Sequence, residues 1–305
     1  MADPSPPLVF DTRFVPQTGQ LVEVLPGISR VTAPNSGPYT FTGTNSFLIG
    51  HDSVAVLDPG PDDARHRAAL IAAIGSRKVV AIILTHTHKD HSGGARKLAA
   101  ETGAPLWFGG PHRLSRPARP FEINALARDC DWRLNPDLTF FDGESFAVDG
   151  MTLTAIATPG HCANHMCYGL DGTGWMLSGD HVMGWNSTLV AVPDGSMADY
   201  LASLKKIIAL PYAHYLPAHG GPIEDGLGYA RALLTHRELR NRQIADAVKG
   251  GATTISALLG KIYPTLSAKL RFAAALTLQA QVEYLDAQGI IRMRRGLFGT
   301  RLSPV

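Results

Sequence analysis

Short apolar runs separated by turn residues fill the first two thirds of the chain and predict alternating strands and helices. Runs of four to six residues that are rich in β-branched side chains are typical of buried strands. Strands are predicted at 21–25, 47–49, 54–57, 79–84, 145–148, 151–156, 166–170, 175–178 and 212–216. Asp149 and Gly150 separate two of these runs and predict a tight hairpin between them.

Longer segments with helical spacing lie between the strands. They are predicted at 62–74, 92–101, 196–209 and 226–248, with Ser92 as the N-cap of the second helix. Residues 111–137 lack a clear period and predict a long surface excursion, which more often serves substrate access than stability. Residues 1–20 are rich in proline and predict an arm.

The end of the chain has a different pattern. Helical runs at 253–260 and 267–287 precede an arginine-rich stretch, 289–296, that resembles a hairpin strand. Helices followed by a small basic hairpin predict a winged-helix-like module. The predicted organisation is therefore a catalytic domain over 1–230 and a small, mostly helical module over 231–305.

Charge divides along the same boundary. Residues 231–305 contain 12 Lys and Arg against 4 Asp and Glu, whereas residues 1–230 contain 16 against 22, although the whole chain carries only +2. Such asymmetry indicates either a surface for a polyanion or a solvated helical face, and the sequence leaves both open.

Composition places the chain among soluble globular proteins. It has 305 residues, 45% hydrophobic and 18% charged, which suits one large or two moderate domains. No stretch approaches the roughly 20 apolar residues of a membrane span, and the first residues lack the features of a secretory signal. The cysteines are Cys130, Cys162 and Cys167, without a C-x-x-C motif, so a reducing, cytoplasmic location is expected.

One segment concentrates the chemistry, because His86, His88, Asp90 and His91 directly follow the predicted strand 79–84. Imidazole nitrogen and carboxylate oxygen are ligands that suit a divalent ion such as Zn²⁺. A single tetrahedral ion cannot use all four from so short a loop. We therefore expect two ions, one bound by His86 and His88 and the other by Asp90 and His91.

Three later positions repeat this context, an apolar strand that ends in a polar residue within a Gly- or Pro-containing turn. They are His161, Asp180 and His219. Rigid strand ends would hold these side chains in place, and a carboxylate placed between two ions can bridge them. Asp180 is the candidate for that bridge.

This set of motifs resembles the metallo-β-lactamase superfamily over roughly residues 21–225. The resemblance implies an α/β fold, an αββα sandwich of two sheets with helices outside and the metals at one sheet edge. It also assigns the ligands: His86, His88 and His161 for one ion, and Asp90, His91 and His219 for the other, with Asp180 bridging.

Within the superfamily the chain most resembles the lactamase-beta-2-like branch, through residues 34–37, 43–45, 162–166 and 193–200. A C-terminal winged helix is also characteristic of that branch, whose eukaryotic members are associated with cleavage of single-stranded RNA. Class B1 lactamases have a Cys in the second site and flavodiiron oxygen reductases have Glu where His88 stands, and this chain has neither. Glyoxalase II has the same ligands, so thioester hydrolysis stays open.

These observations predict a hydrolase that activates water between two divalent ions, with Zn²⁺ as the first choice and Fe or Mn as alternatives. Asp90 or Asp180 is expected to shuttle the proton, and Asp58 to orient a ligand histidine. The expected substrate is either single-stranded RNA or a small ester, thioester or lactone. A non-catalytic binding module that keeps metal for stability is a third interpretation, and the oligomeric state, a homodimer included, is open.

The other polar candidates receive simpler interpretations. His165 belongs either to the core or to the pocket rim, and His181 is a structural residue that points away from the metals. Residues 185–188 either line the cleft or form a simple loop. Histidines interpreted as core or surface residues are His51, His66, His112, His214 and His236.

Overall fold

Two β-sheets stack face to face, because strands of each sheet present apolar side chains to the other. The computed structural model describes residues 8–296 and 299–305. The first sheet has seven strands in sequence order: β1 Leu21–Leu25, β2 Ile28–Thr32, β3 Asn45–Ile49, β4 Ser53–Leu57, β5 Lys78–Ile83, β6 Leu106–Phe108 and β7 Leu138–Thr139. The second has five, in the spatial order β12-β11-β10-β9-β8: β8 Ser145–Val148, β9 Met151–Ala157, β10 Met166–Leu170, β11 Trp175–Gly179 and β12 His214–Pro217.

The core between the sheets is formed by alternating inward side chains. Phe47 and Ile49 of the first sheet share one apolar cluster with Leu153, Tyr168 and Leu177 of the second. Each fully buried side chain of this size contributes about 1.5–3 kcal/mol. This cluster therefore fixes how the two sheets stack, and with it how their edges align.

Helices cover the outer face of each sheet. Helices α1 (Ala64–Ile74) and α3 (Ala95–Thr102) pack on the first sheet, and α4 (Met197–Ile208) packs on the second. Asp63 and Ser196 cap the N-termini of α1 and α4 through side-chain oxygens that accept backbone N–H groups. This is the αββα arrangement that the family resemblance implies.

The remaining elements, three helices and a hairpin, pack around an apolar core of their own at the end of the chain. Helices α5 (Gly226–Lys249), α6 (Ile255–Ile262) and α7 (Ala268–Ala287) precede a hairpin of β13 (Ile291–Gly296) and β14 (Gly299–Pro304). We call the second half of α5, α6, α7 and the hairpin the C-terminal module. Its apolar core contains Ile244, Leu258, Leu278, Val282, Ile291 and Leu302.

The predicted boundary between residues 230 and 231 falls inside α5. Leu233, near the start of this helix, packs with the second sheet, whereas Ile244 and Val248 pack into the C-terminal module. One continuous helix thus joins the sandwich to the module. Helices and a hairpin are present as predicted, while the winged-helix interpretation and the division at residue 230 stay predictions.

Some local predictions were wrong. Ser92 does not cap α3: residues Lys89–Ser92 form a single helical turn, α2, and Ser92 Oγ donates to the carbonyl of His88, 3.1 Å away. Strand β2 was missed because Ser29 and Arg30 interrupt its apolar run, yet it pairs with both β1 and β3.

The first seven residues of the predicted arm, and positions 297–298 within the predicted second domain, lie outside the described residues. Within the described part of the chain, no helix combines the length and apolar character that a membrane span requires.

Candidate metal centre

Strand ends from both sheets meet at one edge of the sandwich. Strands β4 and β5 are parallel, and so are β11 and β12, which places the carboxyl ends of each pair side by side. The segment His86–His91 follows β5, while Asp180 follows β11 and His219 follows β12. Topology therefore gathers residues that are far apart in the sequence.

The first group consists of His86, His88 and His161. Nδ1 of His88 lies 3.0 Å from Nε2 of His86 and 2.9 Å from Nε2 of His161. Three ring nitrogens thus converge on one point. Ligands at 2.0–2.1 Å around a tetrahedral Zn²⁺ are separated by about 3.4 Å, so this spacing is close to that of a metal site.

The second group consists of Asp90, His91, Asp180 and His219. Nε2 of His219 lies 3.4 Å from Oδ2 of Asp90 and 3.4 Å from Oδ1 of Asp180, and Nε2 of His91 lies 3.5 and 3.6 Å from the same oxygens. These separations are those of a tetrahedral ligand set, about 3.4 Å. The other oxygen of Asp180, Oδ2, lies 3.6 Å from Nε2 of His161, so one carboxylate faces both groups.

Unpartnered polar atoms support the interpretation of these groups as metal ligands. Nε2 of His91, Nε2 of His219 and Oδ1 of Asp180 are buried and have no hydrogen-bond partner. Leaving such atoms unsatisfied costs about 1–3 kcal/mol each, more when they are charged. A divalent cation satisfies all three at once, and the mixed nitrogen and oxygen donors suit Zn²⁺, Fe or Mn.

The far nitrogen of each histidine has an acceptor. Nε2 of His88 lies 2.8 Å from Oδ2 of Asp194, Nδ1 of His161 lies 2.7 Å from the carbonyl of Leu189, and Nδ1 of His219 lies 3.2 Å from that of Gly43. Because the proton sits on the nitrogen that donates, these contacts assign the tautomer in which the other nitrogen offers its lone pair to the site.

Asp58 holds one histidine of each group. Its Oδ2 accepts from Nδ1 of His91 at 2.9 Å and from Oγ1 of Thr85 at 2.7 Å. Thr85 Oγ1 in turn lies 3.0 Å from Nδ1 of His86. Asp58 adopts φ 49°, a strained value for a residue with a side chain, at the end of β4. Asp58, the carboxylate predicted to orient a ligand histidine, thus contacts His91 directly and His86 through Thr85.

Asp194 is a residue of the site that sequence reasoning missed. It is fully buried, and its Oδ1 lies 2.8 Å from Nε2 of His112 while its Oδ2 faces His88. His112, which was interpreted as an ordinary core or surface residue, extends this hydrogen-bonded series. Nδ1 of His112 lies 2.9 Å from Oγ1 of Thr87. In the sequence, Asp194 lies in the segment 193–200 that carries the family resemblance, but Pro-Asp-Gly by itself indicates a turn and assigns no role to the carboxylate.

His165 and His181 lie behind the bridging carboxylate. His165 belongs to the core and not to the rim: its Nε2 accepts from the backbone N–H of Asp180 at 3.1 Å, and its Nδ1 lies 2.8 Å from Oγ1 of Thr158. His181 is buried, its ring packs at 5.0 Å from that of Tyr200, and it belongs to neither group of donors.

Burial and neighbouring charges set the protonation of the site. Burial lowers the pKa of His161 to about 4 and the pKa of His86 well below its ordinary value. Both imidazole rings are therefore uncharged at neutral pH, and each has one nitrogen whose lone pair can bind a metal ion. Burial alone would raise the pKa of Asp180, but the imidazoles of His219 and His91 outweigh it and lower that pKa, which keeps the carboxylate ionised.

Residues of both groups form the floor of an open cleft of about 550 Å³. Asp90, His88, His161 and Asp180 reach this space, and Trp185 to Ser187 form part of its wall. Thr188 lies beneath the surface instead, where its Oγ1 donates to the backbone carbonyls of Asp180 and His181.

A family model described as the metallo-beta-lactamase superfamily matches residues 39–219, a segment that contains both groups. The chain belongs to the metallo-beta-lactamase superfamily. Its members bind divalent metals and are mostly hydrolases, in agreement with the convergent histidines and aspartates.

Individual relatives are similar over most of their length. A beta-lactamase-like protein 2 homolog from Caenorhabditis elegans is 29% identical over 269 residues, 87% of this chain and 85% of that protein. An atrochrysone carboxyl ACP thioesterase from Aspergillus fumigatus is 28% identical over 274 residues, 84% and 79% of the two chains. The crystal structure of a metallo-beta-lactamase family protein from Thermus thermophilus has a TM-score of 0.75 and 25% identity, and covers 93% of this chain and all of that one.

Proposed function

We propose that this member of the superfamily is a hydrolase with two divalent metal ions that cleaves an ester or thioester bond. The observation that carries the proposal is the cleft, whose floor consists of the convergent donors and whose walls are mostly apolar side chains. A relative named as an ACP thioesterase supports the choice of bond.

When bound, two divalent ions supply a strong nucleophile from water at neutral pH and a positive charge for the carbonyl oxygen. In the reaction a water oxygen bonds to the acyl carbon, the bond to the leaving sulfur or oxygen breaks, and one proton of the water passes to the leaving group.

The protein's own part is to hold donors and to move that proton. Asp90 is the candidate proton carrier, because its side chain is 29% exposed and reaches the cleft, whereas Asp180 is almost completely buried between the groups. The rigid strand ends keep each histidine fixed, since Asp58, Asp194 and backbone carbonyls occupy the far nitrogens.

Elemental analysis of protein purified without added metal, followed by assay of acyl thioesters and esters, tests the proposal. We expect two metal equivalents per chain and turnover that is lost in His219→Ala and Asp180→Asn. His214→Ala, which replaces a half-buried histidine at the start of β12 and outside the site, is the control and should leave turnover unchanged. Metal-loaded protein that hydrolyses no ester or thioester would refute it.

Single-stranded RNA is the second candidate substrate. Arg292, Arg294 and Arg301 are exposed on the β13–β14 hairpin, where Arg294 is paired in register with Arg301. Oligonucleotide affinity that falls steeply with salt, and that falls further in R292Q/R294Q/R301Q, would support this candidate. Cleavage of RNA without hydrolysis of esters or thioesters would establish it in place of the first.

A further inference from the structure

One wall of the cleft comes from the C-terminal module and is almost wholly apolar. It is formed by α7 and the segment before it, through Tyr263, Leu266, Leu270, Phe272, Ala273 and Ala274. The facing wall comes from the sandwich and includes Met183, Trp185 and Leu189. The donors that hold the metals are therefore set at the base of a hydrophobic slot.

We propose that the wall of the C-terminal module binds the acyl group, and that the natural substrate is an ester or thioester of a bulky apolar carboxylic acid. This inference rests on the proposed hydrolase function and adds to it the class of substrate. Three features of the cleft support it.

The first feature is the exposure of large apolar side chains. Phe272 is 58% exposed and Leu270 is 36% exposed, although both belong to a helix whose opposite face packs in the module core. Contiguous exposed apolar surface that borders a cleft is typical of a ligand site, because it is otherwise unfavourable in water. Covering it with hydrocarbon would recover about 25 cal/mol per Å².

The second feature is the rigidity of the facing wall. The indole of Trp185 stacks on the ring of Phe41 with centroids 4.9 Å apart and an angle of 8° between the planes. A stacked aromatic pair is a flat, pre-formed surface, so little conformational entropy is lost when a ligand lies against it.

The third feature is how few cationic side chains the described lining contains. Arg237 is buried, its Nη2 donates to the carbonyl of Thr188, and its guanidinium lies 5.2 Å from the ring centre of Tyr200. Lys89 is the other Lys or Arg of this lining, and its Nζ donates to the carbonyl of Arg128 at 2.6 Å. Within the described lining, these contacts do not form a track for consecutive phosphates.

The apolar character of this wall also indicates which half of the substrate lies against it, the acyl group or the leaving group. Carrier thiols contain amide groups, and burying an amide without hydrogen bonds costs several kcal/mol. The wall of the C-terminal module is apolar except for the side chains of Tyr263 and Thr277, so it suits the hydrocarbon of the acid. The polar leaving group then extends toward the solvent side of the cleft.

A series of thioesters with one leaving group and acyl chains from acetyl to dodecanoyl tests this directly in the metal-loaded protein. We expect kcat/KM to rise about two- to fourfold per added methylene until the cleft is filled, because each buried methylene is worth at most about 0.8 kcal/mol. Hydrolysis that is equally fast for all chain lengths, or that depends only on the leaving group, would overturn the inference while the proposed function stands.

Substitutions in the wall of the C-terminal module test whether this wall causes the dependence of kcat/KM on acyl chain length. Leu270→Ser and Phe272→Ser replace exposed side chains, so folding should be preserved, and each should flatten the dependence on chain length, with the largest loss for the longest acyl chains. Leu239→Ser is the matched control, because Leu239 is 45% exposed on α5 and lies outside the cleft lining. Equal effects of the control and the wall variants would also overturn the inference.

Binding of the product acids gives a readout that does not require turnover. In titration calorimetry, decanoate should bind more tightly than acetate, and Phe272→Ser should weaken the binding of decanoate. A protein that hydrolyses no member of the series contradicts the proposed function. Decanoate binding that is no tighter than acetate binding contradicts the acyl-site inference.

Discussion

The carboxylate of Asp58 lies 2.9 Å from Nδ1 of His91, and the same oxygen accepts the hydroxyl of Thr85, which contacts His86. His91 belongs to one group of donors and His86 to the other. A single buried carboxylate therefore sets the orientation of both groups, although it offers no atom to either of them.

Replacing Asp58 by Asn should weaken both groups together. The amide keeps the volume of the side chain but removes the charged acceptor, so His91 and Thr85 lose their preferred orientation. We expect the affinity for both metal equivalents to fall about 10–100-fold. Chelator titration followed by metal analysis measures this.

Asp149→Asn is the control for that experiment. Asp149 accepts backbone N–H groups from His51, Asp52 and Ser53 at the hairpin turn, away from the site. This variant should lower stability and leave metal affinity unchanged. Retention of both metals at wild-type affinity in Asp58→Asn would contradict the role assigned to Asp58.

Replacing Asp194 by Asn should affect one group only. Asp194 contacts His88 but no histidine of the second group, so we expect one metal equivalent to be released at about tenfold lower chelator concentration. The second equivalent should be released as in the wild type. A parallel shift of both release steps would show that Asp194 acts on the site as a whole.

Removing metal should lower thermal stability. The buried, unpartnered atoms of His91, His219 and Asp180 lose their common partner when the ions leave. Free metal at 100 times its dissociation constant stabilises by about 2.7 kcal/mol, which corresponds to about 4 °C in unfolding temperature for a chain of this length. Calorimetry with and without chelator measures the shift, which should shrink in His219→Ala and Asp180→Asn. An identical unfolding temperature under both conditions in the wild type would contradict a metal centre here.

An ionic cluster ties the long loop 111–137 to the C-terminal module. Arg116 contacts Glu122 through two bonds, of 2.6 and 2.7 Å, and also contacts Glu283 of α7 at 2.9 Å. The Glu122 side chain is only 9% exposed. We expect Glu122→Gln to lower the free energy of unfolding by about 1–2 kcal/mol at neutral pH.

The effect of Glu122→Gln should depend on pH in a defined direction. The hydrogen bond from Arg116 lowers the pKa of Glu122 from 4.5 to about 2 in the folded protein. Its stabilising contribution is therefore complete above pH 4.5 and is lost as the pH falls toward 2. The difference in unfolding free energy between wild type and variant should shrink over that window in denaturant titrations.

Glu238→Gln is the matched control, since Glu238 is exposed and belongs to no ion pair among the described residues. If the difference in unfolding free energy between wild type and Glu122→Gln stays constant from about pH 5 to about pH 2, the ionic contact assigned to Glu122 is contradicted.

The sequence by itself determined the donors of the candidate site. His86, His88, Asp90 and His91 are adjacent along the chain, and His161, Asp180 and His219 each follow an apolar strand in a turn. Because ligands at strand ends are local features, short patterns predict them, and Asp58 could be singled out in the same way.

Only the tertiary structure decided what surrounds those donors. Asp194 reaches His88 across 106 residues, and the apolar wall of α7 reaches the cleft through the packing of the C-terminal module on the sandwich. In the sequence, Asp194 has the pattern of a turn and Leu270 and Phe272 have that of an ordinary helix. Contacts between distant segments depend on how whole elements pack, and a local pattern carries no information about that packing.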